Sequence, residues 1–258
     1  MIIYQRGKRV MAYMTKDNKK FVRQHEVASY DCDKQQNIKV SAIQRWLQDN
    51  ADDHCSVFGC DYLTLKDKMD TVFVLVKTSI NIYQPLKLLK NYTFTTWHKG
   101  SKGVQFLRDF TIADEHGVVV AEGGSSWVVV DPILHKMKRP NEVTFVVPVS
   151  EDNVDTTRLE KMHMPELDYI TDKKVMYTEI DSNQHLTNWV YADIITNYLP
   201  SMEGKRIAEM DISYISEAFE GDSIRIYRAQ KDGVWYFRGE HPRGKCFEAR
   251  CRIVDSEH

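Results

Sequence analysis

Glu179-Ile180-Asp181-Ser182-Asn183-Gln184-His185-Leu186-Thr187-Asn188 is the stretch on which the fold turns. It follows a strand-like run, Lys174–Thr178. It leads into a helix-like segment whose apolar stripe is Trp189, Ala192, Ile195 and Leu199, with Thr187 as the expected N-cap and Pro200 as the stop. An earlier stretch reads the same way. Ser29-Tyr30-Asp31-Cys32-Asp33 can be laid on Glu179–Asn183 at an offset of 150, which pairs Asp31 with Asp181. A helix-like segment follows there too: Val40, Ile43, Leu47, Ala51, Cys55 and Phe58 recur at steps of three and four, and Gly59 is its stop. Farther on, Ile80-Asn81-Ile82-Tyr83 can be laid on Ile212-Ser213-Tyr214-Ile215 at an offset of 132. The 18-residue difference between the offsets gives the first copy a longer connection near 59–70.

Working outward, each helix is followed by four β-rich runs. After the first come Thr71–Tyr83, Tyr92–Trp97, Val104–Ile112 and Val118–Val130, rich in β-branched and aromatic residues, with Asp114-Glu115-His116-Gly117 as a hairpin turn. Trp127-Val128-Val129-Val130 is uniformly apolar, which predicts a central strand covered on both faces. After the second come Arg206–Ile215, Ser223–Ala229, Val234–Glu240 and Cys246–Val254, with turns at Lys231-Asp232-Gly233 and Pro242-Arg243-Gly244. The expected fold is therefore α+β: two copies of a long helix wrapped by an antiparallel sheet. The chain divides into an N-terminal half (1–131), a connection (132–168) and a C-terminal half (169–258). The connection is long for a loop and is expected to cross the surface or to add a strand.

Composition narrows the function classes. The 258 residues carry 35 basic and 37 acidic side chains, a net charge of −2, so no global basic field is present to hold nucleic acid. No apolar run reaches the ~18–20 residues of a membrane span. The basic start, Met1–Lys20, lacks the apolar core of a secretory signal. Cys32, Cys55, Cys60, Cys246 and Cys251 form no CxxC pair or metal-site cluster, so reduced thiols in a cytoplasmic protein without metal or cofactor are expected.

The chemistry-bearing groups lie in the second copy. In an extended segment Asp181, Asn183 and His185 would point to one side, just before a helix whose first amides favour negative charge on an oxygen. Glu217 ends the apolar run Met210–Ile215, where a strand can deliver a carboxylate into a buried site. These four groups suffice to activate water against an acyl carbon. Asx-rich segments before helices more often serve as caps, so the first copy acts as a control. Gln35 stands where the offset of 150 puts His185, and Pro85 where the offset of 132 puts Glu217. The asymmetry predicts one catalytic half and one binding half.

The chain resembles the acyl-ACP thioesterases over nearly its whole length. Asp181-Ser182-Asn183-Gln184-His185-Leu186-Thr187-Asn188 is similar to that family's Asp-x-Asn-x-His-x-x-Asn signature, and Tyr214-Ile215-Ser216-Glu217 to its Tyr-x-x-Glu. Thr95–Trp127, with Gly103, Arg108-Asp109-Phe110, Gly117 and Ser125-Ser126-Trp127, is similar to strands of its first half. The resemblance implies a tandem (double) hotdog and hydrolysis of fatty acyl-ACP to free fatty acid and holo-ACP. It also implies Asp181, Asn183, His185 and Glu217 as catalytic residues and acidic acyl carrier protein as the partner. Many plant members have cysteine after the glutamate; here Ala218 stands there, which argues against a thiolate nucleophile.

On this reading Glu217, or Glu217 with His185, is the general base on water. Asn183 orients the water or the imidazole, and Asp181 fixes His185 or positions the carbonyl. Direct attack by Asp181 or Glu217 stays open. The acyl slot is expected in the first half around Trp46, Val74, Val76 and Phe106. Carrier docking is expected at His135-Lys136-Met137-Lys138-Arg139 or at Lys87 with Lys90. Alternatives on the same fold are an acyl-CoA thioesterase, a hydroxyacyl dehydratase and a non-catalytic acyl-binding protein. The internal duplication makes a pseudo-dimer within one chain and leaves a further homodimer open.

Overall fold

Alternating β-branched and aromatic residues, separated by tight polar turns, build one large antiparallel sheet, with two helices packed side by side against it. In this computed structural model, residues 4–5, 8–9, 11–134, 136–154, 159 and 161–256 are described. A short hairpin, β1 (Tyr4–Gln5) with β2 (Lys8–Arg9), precedes the main sheet. The first half comprises β3 (Ala12–Met14), β4 (Lys20–Glu26), α1 (Val40–Ser56), α2 (Tyr62–Met69), β5 (Val72–Ile82), β6 (Asn91–Lys102), β7 (Gln105–Ala113) and β8 (Val119–Asp131). In the connection, β9 (Lys136–Lys138) pairs with β8, so it does contribute a strand. The second half comprises β10 (Asp168–Lys174), α3 (Asn188–Asn197), β11 (Lys205–Tyr214), β12 (Ser223–Lys231), β13 (Val234–His241) and β14 (Gly244–Asp255).

The strand order is β10-β12-β13-β14-β11-β5-β8-β7-β6-β4-β3, so the halves join edge to edge through β11 and β5. In that join Ser79 faces Asp211, its own counterpart at the offset of 132. A pseudo-twofold axis thus passes between a residue and its duplicate. β8 is central, and Val128 and Val129 on opposite faces are both buried. The main apolar core runs under both halves, from Ile43 and Leu47 on α1 to Val190 and Ile194 on α3 and Ile212 and Phe247 in the sheet.

Several expectations need correction. The second half's strand lies at Asp168–Lys174, ending where the expected strand Lys174–Thr178 began; Tyr177–Glu179 is a 3-10 turn instead. The cause is long-range, because β10 is held by its pairing with β12. The second helix is short, 10 residues against 17 in α1. Thr187 holds the N-cap position of α3 without capping through its side chain; its hydroxyl donates to the Glu179 carbonyl at 2.8 Å.

The first internal offset is 148, not 150. The bridge Cys32–Ile38 matches Ile180–Leu186, and Gln36 and Gln184 share a left-handed backbone at φ 61° and 66°. The Asp33 carboxylate accepts from the amides of Gln35 and Asn37, as that of Asp181 does from Asn183 and His185. Side-chain likeness had paired Asp31 with Asp181, whereas backbone bonding pairs Asp33 with Asp181. The counterpart of His185 is accordingly Asn37 rather than Gln35. The offset of 132 holds: Ile38 N donates to Leu86 O as Leu186 N does to Ala218 O, which keeps Pro85 opposite Glu217.

The candidate active site

The loop before α3 is a closed turn rather than an extended segment. Asp181 N donates to His185 O at 2.9 Å and Gln184 N to Asp181 O at 3.0 Å. The Asp181 carboxylate accepts from Asn183 N at 2.8 Å and His185 N at 3.3 Å. That geometry spends Asp181 on the backbone, so its carboxylate shapes the loop and does not meet the imidazole. Alternation holds only where φ and ψ stay extended, and the left-handed Gln184 breaks it.

His185 and Glu217 are brought together. His185 Nε2 lies 3.3 Å from Glu217 Oε2, with both side chains partly open to solvent. The imidazole also packs edge-on against Phe219, its ring centre 5.3 Å away. Three backbone hydrogen bonds fix this meeting. Leu186 N donates to Ala218 O at 2.8 Å, tying the His185 loop to the Glu217 segment, and the amides of Ile215 and Ser216 share the Cys246 carbonyl.

Asn183 faces another way. Its Oδ1 accepts from Tyr62 Oη at 2.6 Å, and Lys66 Nζ lies 3.1 Å from the same hydroxyl. Tyr62 stands on α2, in the extra residues of the first half, so that half supplies a group to the rim of the second half's loop. The sequence signal was the unequal offsets, now a 16-residue difference between 148 and 132; no local motif marks the tyrosine.

Ala218 is fully buried, and Cys246, the cysteine backed onto this segment, is buried as well. Burial pushes its thiol up to about 12, which suppresses the thiolate that a nucleophile needs. Among the described residues no cluster of three or more His, Cys, Asp or Glu is placed to hold a metal, and all five cysteines are free thiols. Among the described residues no helix is long and apolar enough to cross a membrane.

The expected binding residues scatter. Trp46 sits in the main core stacked on His25, whereas Phe106 joins Phe73 and Phe145 in a separate aromatic cluster. Val74 is 37% exposed, and Val76 falls at the register shift between Leu75 and Lys77, which breaks the strand's alternation. Of the basic patches, His135 lies outside the described residues, and Lys136 to Lys138 form β9. Lys87 Nζ donates to Asn37 Oδ1 at 2.7 Å, and Lys90 lies 4.0 Å from Glu115. The first half's counterpart of the His185 loop lines a cleft of about 100 Å³ with Asn37, Leu86, Met202 and Arg206. There the Gln35 amide is fully engaged with Met202 O, Lys205 O and Gly204 N.

Comparison with known proteins bears on the family and the fold. The family profile of the acyl-ACP thioesterase N-terminal domain matches residues 18–145, and that of the C-terminal domain matches residues 162–244. No curated protein matches the chain at a significant level. Among solved structures, an acyl-ACP thioesterase from Bacteroides thetaiotaomicron VPI-5482 is similar, at 16% identity and a TM-score of 0.82 over 93% of this chain and 100% of that one. So is the 12:0-ACP thioesterase from Umbellularia californica, at 18% identity and 0.78 over 92% and 98%. Likeness at these identities speaks for the shared fold, the double hotdog. The two profiles span most of the sequence, and the chain belongs to the acyl-ACP thioesterase family, enzymes that hydrolyse the thioester of fatty acyl-ACP.

Proposed function

We propose that hydrolysis runs through water activated by Glu217 and His185. The observation that carries this is the 3.3 Å approach of His185 Nε2 to Glu217 Oε2 at the start of α3. The pair takes a proton from water as its oxygen attacks the thioester carbon. The resulting oxyanion is met by first-turn amides of α3, which the Thr187 hydroxyl leaves uncapped. Collapse breaks the carbon–sulfur bond, and His185 returns the proton to the departing thiolate, giving a free fatty acid and the carrier's thiol. A thiol leaves readily, since its pKa of about 8.5 calls for little acid assistance. Asp181 serves by holding the loop. Asn183 offers its amide hydrogens to substrate or water, because Tyr62 occupies its oxygen.

The acidic carrier protein is proposed to land on β9 with Lys136 and Lys138 rather than at Lys87, whose ammonium is engaged by Asn37. Five free thiols fit a reducing cytoplasm.

The deciding measurement is thiol release from acyl-ACPs of several chain lengths, with acyl-CoA for comparison, by the native enzyme and Glu217→Gln. A fall of about 10²–10⁴-fold in kcat is expected for the variant. Less than a tenfold loss removes Glu217 from the mechanism, and an enoyl product from a β-hydroxyacyl-ACP, with no free thiol released from the acyl-ACPs, makes the enzyme a dehydratase.

A further inference from the structure

Glu217 lies beyond the end of β11, one residue past the last amide that β14 holds, Ser216 N on Cys246 O, and its carboxylate is about half exposed. Contacts beyond that strand pairing hold it at hydrogen-bonding distance from His185. The groups packed behind its backbone come from the last residue of β13, His241, and from the turn that follows it. His241 is 2% exposed, and its Nε2 lies 3.0 Å from the Glu217 carbonyl and 3.1 Å from Ser216 Oγ. Ser216 Oγ gives its own proton to Lys245 O at 2.7 Å, so both oxygens facing Nε2 are acceptors and Nε2 carries the hydrogen. On the other side of the ring, Nδ1 accepts from Arg243 N at 3.2 Å. The bonding therefore puts both ring nitrogens to use. One residue on, the Ala218 carbonyl is held by Leu186 N, so two successive carbonyls, those of Glu217 and Ala218, are each held by a different segment.

Arg243 completes the frame. Its guanidinium pairs with Asp222, whose carboxylate accepts from Phe219 N at 2.8 Å, and it stacks over the Phe219 ring at 4.8 Å. The first half provides the contrast. There Tyr83 and Gln84 amides share Val120 O as Ile215 and Ser216 share Cys246 O, and Ile38 N holds Leu86 O. The hairpin after β7, however, offers Asp114, whose carboxylate caps its own turn through His116 N and Val118 N. The imidazole clamp stands where there is a carboxylate to aim and is missing where Pro85 takes its place.

We infer that His241 is a positioning residue of the reaction: it touches neither reacting group but fixes the backbone from which Glu217 reaches His185. This rests on Glu217 being the base. The test is a double-mutant cycle on thiol release, with thermal melting as the check on folding. His241→Ala is expected to lower kcat about 10–100-fold with KM within about threefold, and His241→Gln, which keeps a donor near Nε2, to recover most of the loss. In the Glu217→Gln background His241→Ala is expected to cost less than about twofold more, because an aimed carboxylate no longer exists. Should His241→Ala not fold, Ser216→Ala, which removes the oxygen that anchors the ring, carries the same cycle. Losses that multiply in the double variant, or a single variant within twofold of native while Glu217→Gln is slow, overturn the positioning role alone. A near-native Glu217→Gln overturns the base reading, and the positioning role with it.

Discussion

Asp181, Asn183 and His185 look alike in the sequence as polar groups of one loop, yet they end in three different roles. His185 meets a carboxylate, Asn183 meets Tyr62 and Asp181 folds back on two amides. Replacing His185 with Ala is expected to cut kcat about 10²–10⁴-fold in the thiol-release assay. Tyr62→Phe removes one hydroxyl, exposed and far from the core, so melting should not change. Its loss frees the Asn183 carboxamide to rotate, and a three- to tenfold lower kcat/KM, about 1 kcal/mol, is expected from steady-state kinetics. An unchanged kcat/KM would place Asn183 outside the chemistry. The Asp-x-Asn-x-His spacing was plain in the sequence, but its division of labour was not, because a single left-handed residue decides which way each side chain turns.

Elements were legible where one period persisted. Steps of three and four along α1 put Ile43, Leu47 and Ala51 into the core, and the strand runs were placed to within a few residues at most ends. β3 and β4 were not foreseen: β4 mixes Lys20, Arg23, Gln24, His25 and Glu26 with few apolar residues, and its pairing with β6 on one side and β3 on the other makes it a strand. Close packing inside the sheet depends on Gly123. A Cβ there would lie 2.0 Å from the Ser79 carbonyl and 2.9 Å from the Phe110 ring, which stacks on Phe94. Backbone cannot yield as a flexible side chain can. Gly123→Ala should therefore destabilise the protein by about 1–3 kcal/mol or more, read as a lower urea midpoint with an unchanged slope.

At the scale of the whole molecule, two halves share one sheet and one core, so they should melt together. The space between α1 and the first-half strands also holds polar groups. His25 Nε2 accepts from Asn50 Nδ2 at 2.8 Å, and His54 Nδ1 accepts from Arg108 Nη1 at 2.8 Å. Burial first, then the charge of Arg23 and Arg108 respectively, lowers each imidazole from 6.5 to about 3; burial, then Arg108, lowers His98 to about 4. Unfolded chains therefore bind more protons than the native state between these values. The contribution to stability is full above pH 6.5 and is lost as the pH falls from 6.5 toward 3, at about 1.4 kcal/mol per pH unit for each ring. Urea melts at pH 7 and pH 5 should show the loss, and a flat profile would mean that these rings are already exposed.

Duplication, helix and strand periods and the residue types that carry acid–base chemistry were all present in the chain itself, because each is a local pattern that folding leaves in place. Which backbone positions correspond, that Asn37 rather than Gln35 stands opposite His185, that Tyr62 reaches Asn183 and that His241 reaches the Glu217 carbonyl were settled only by tertiary structure. Hydrogen bonds between distant segments, not neighbours along the chain, determine where each of those groups can reach.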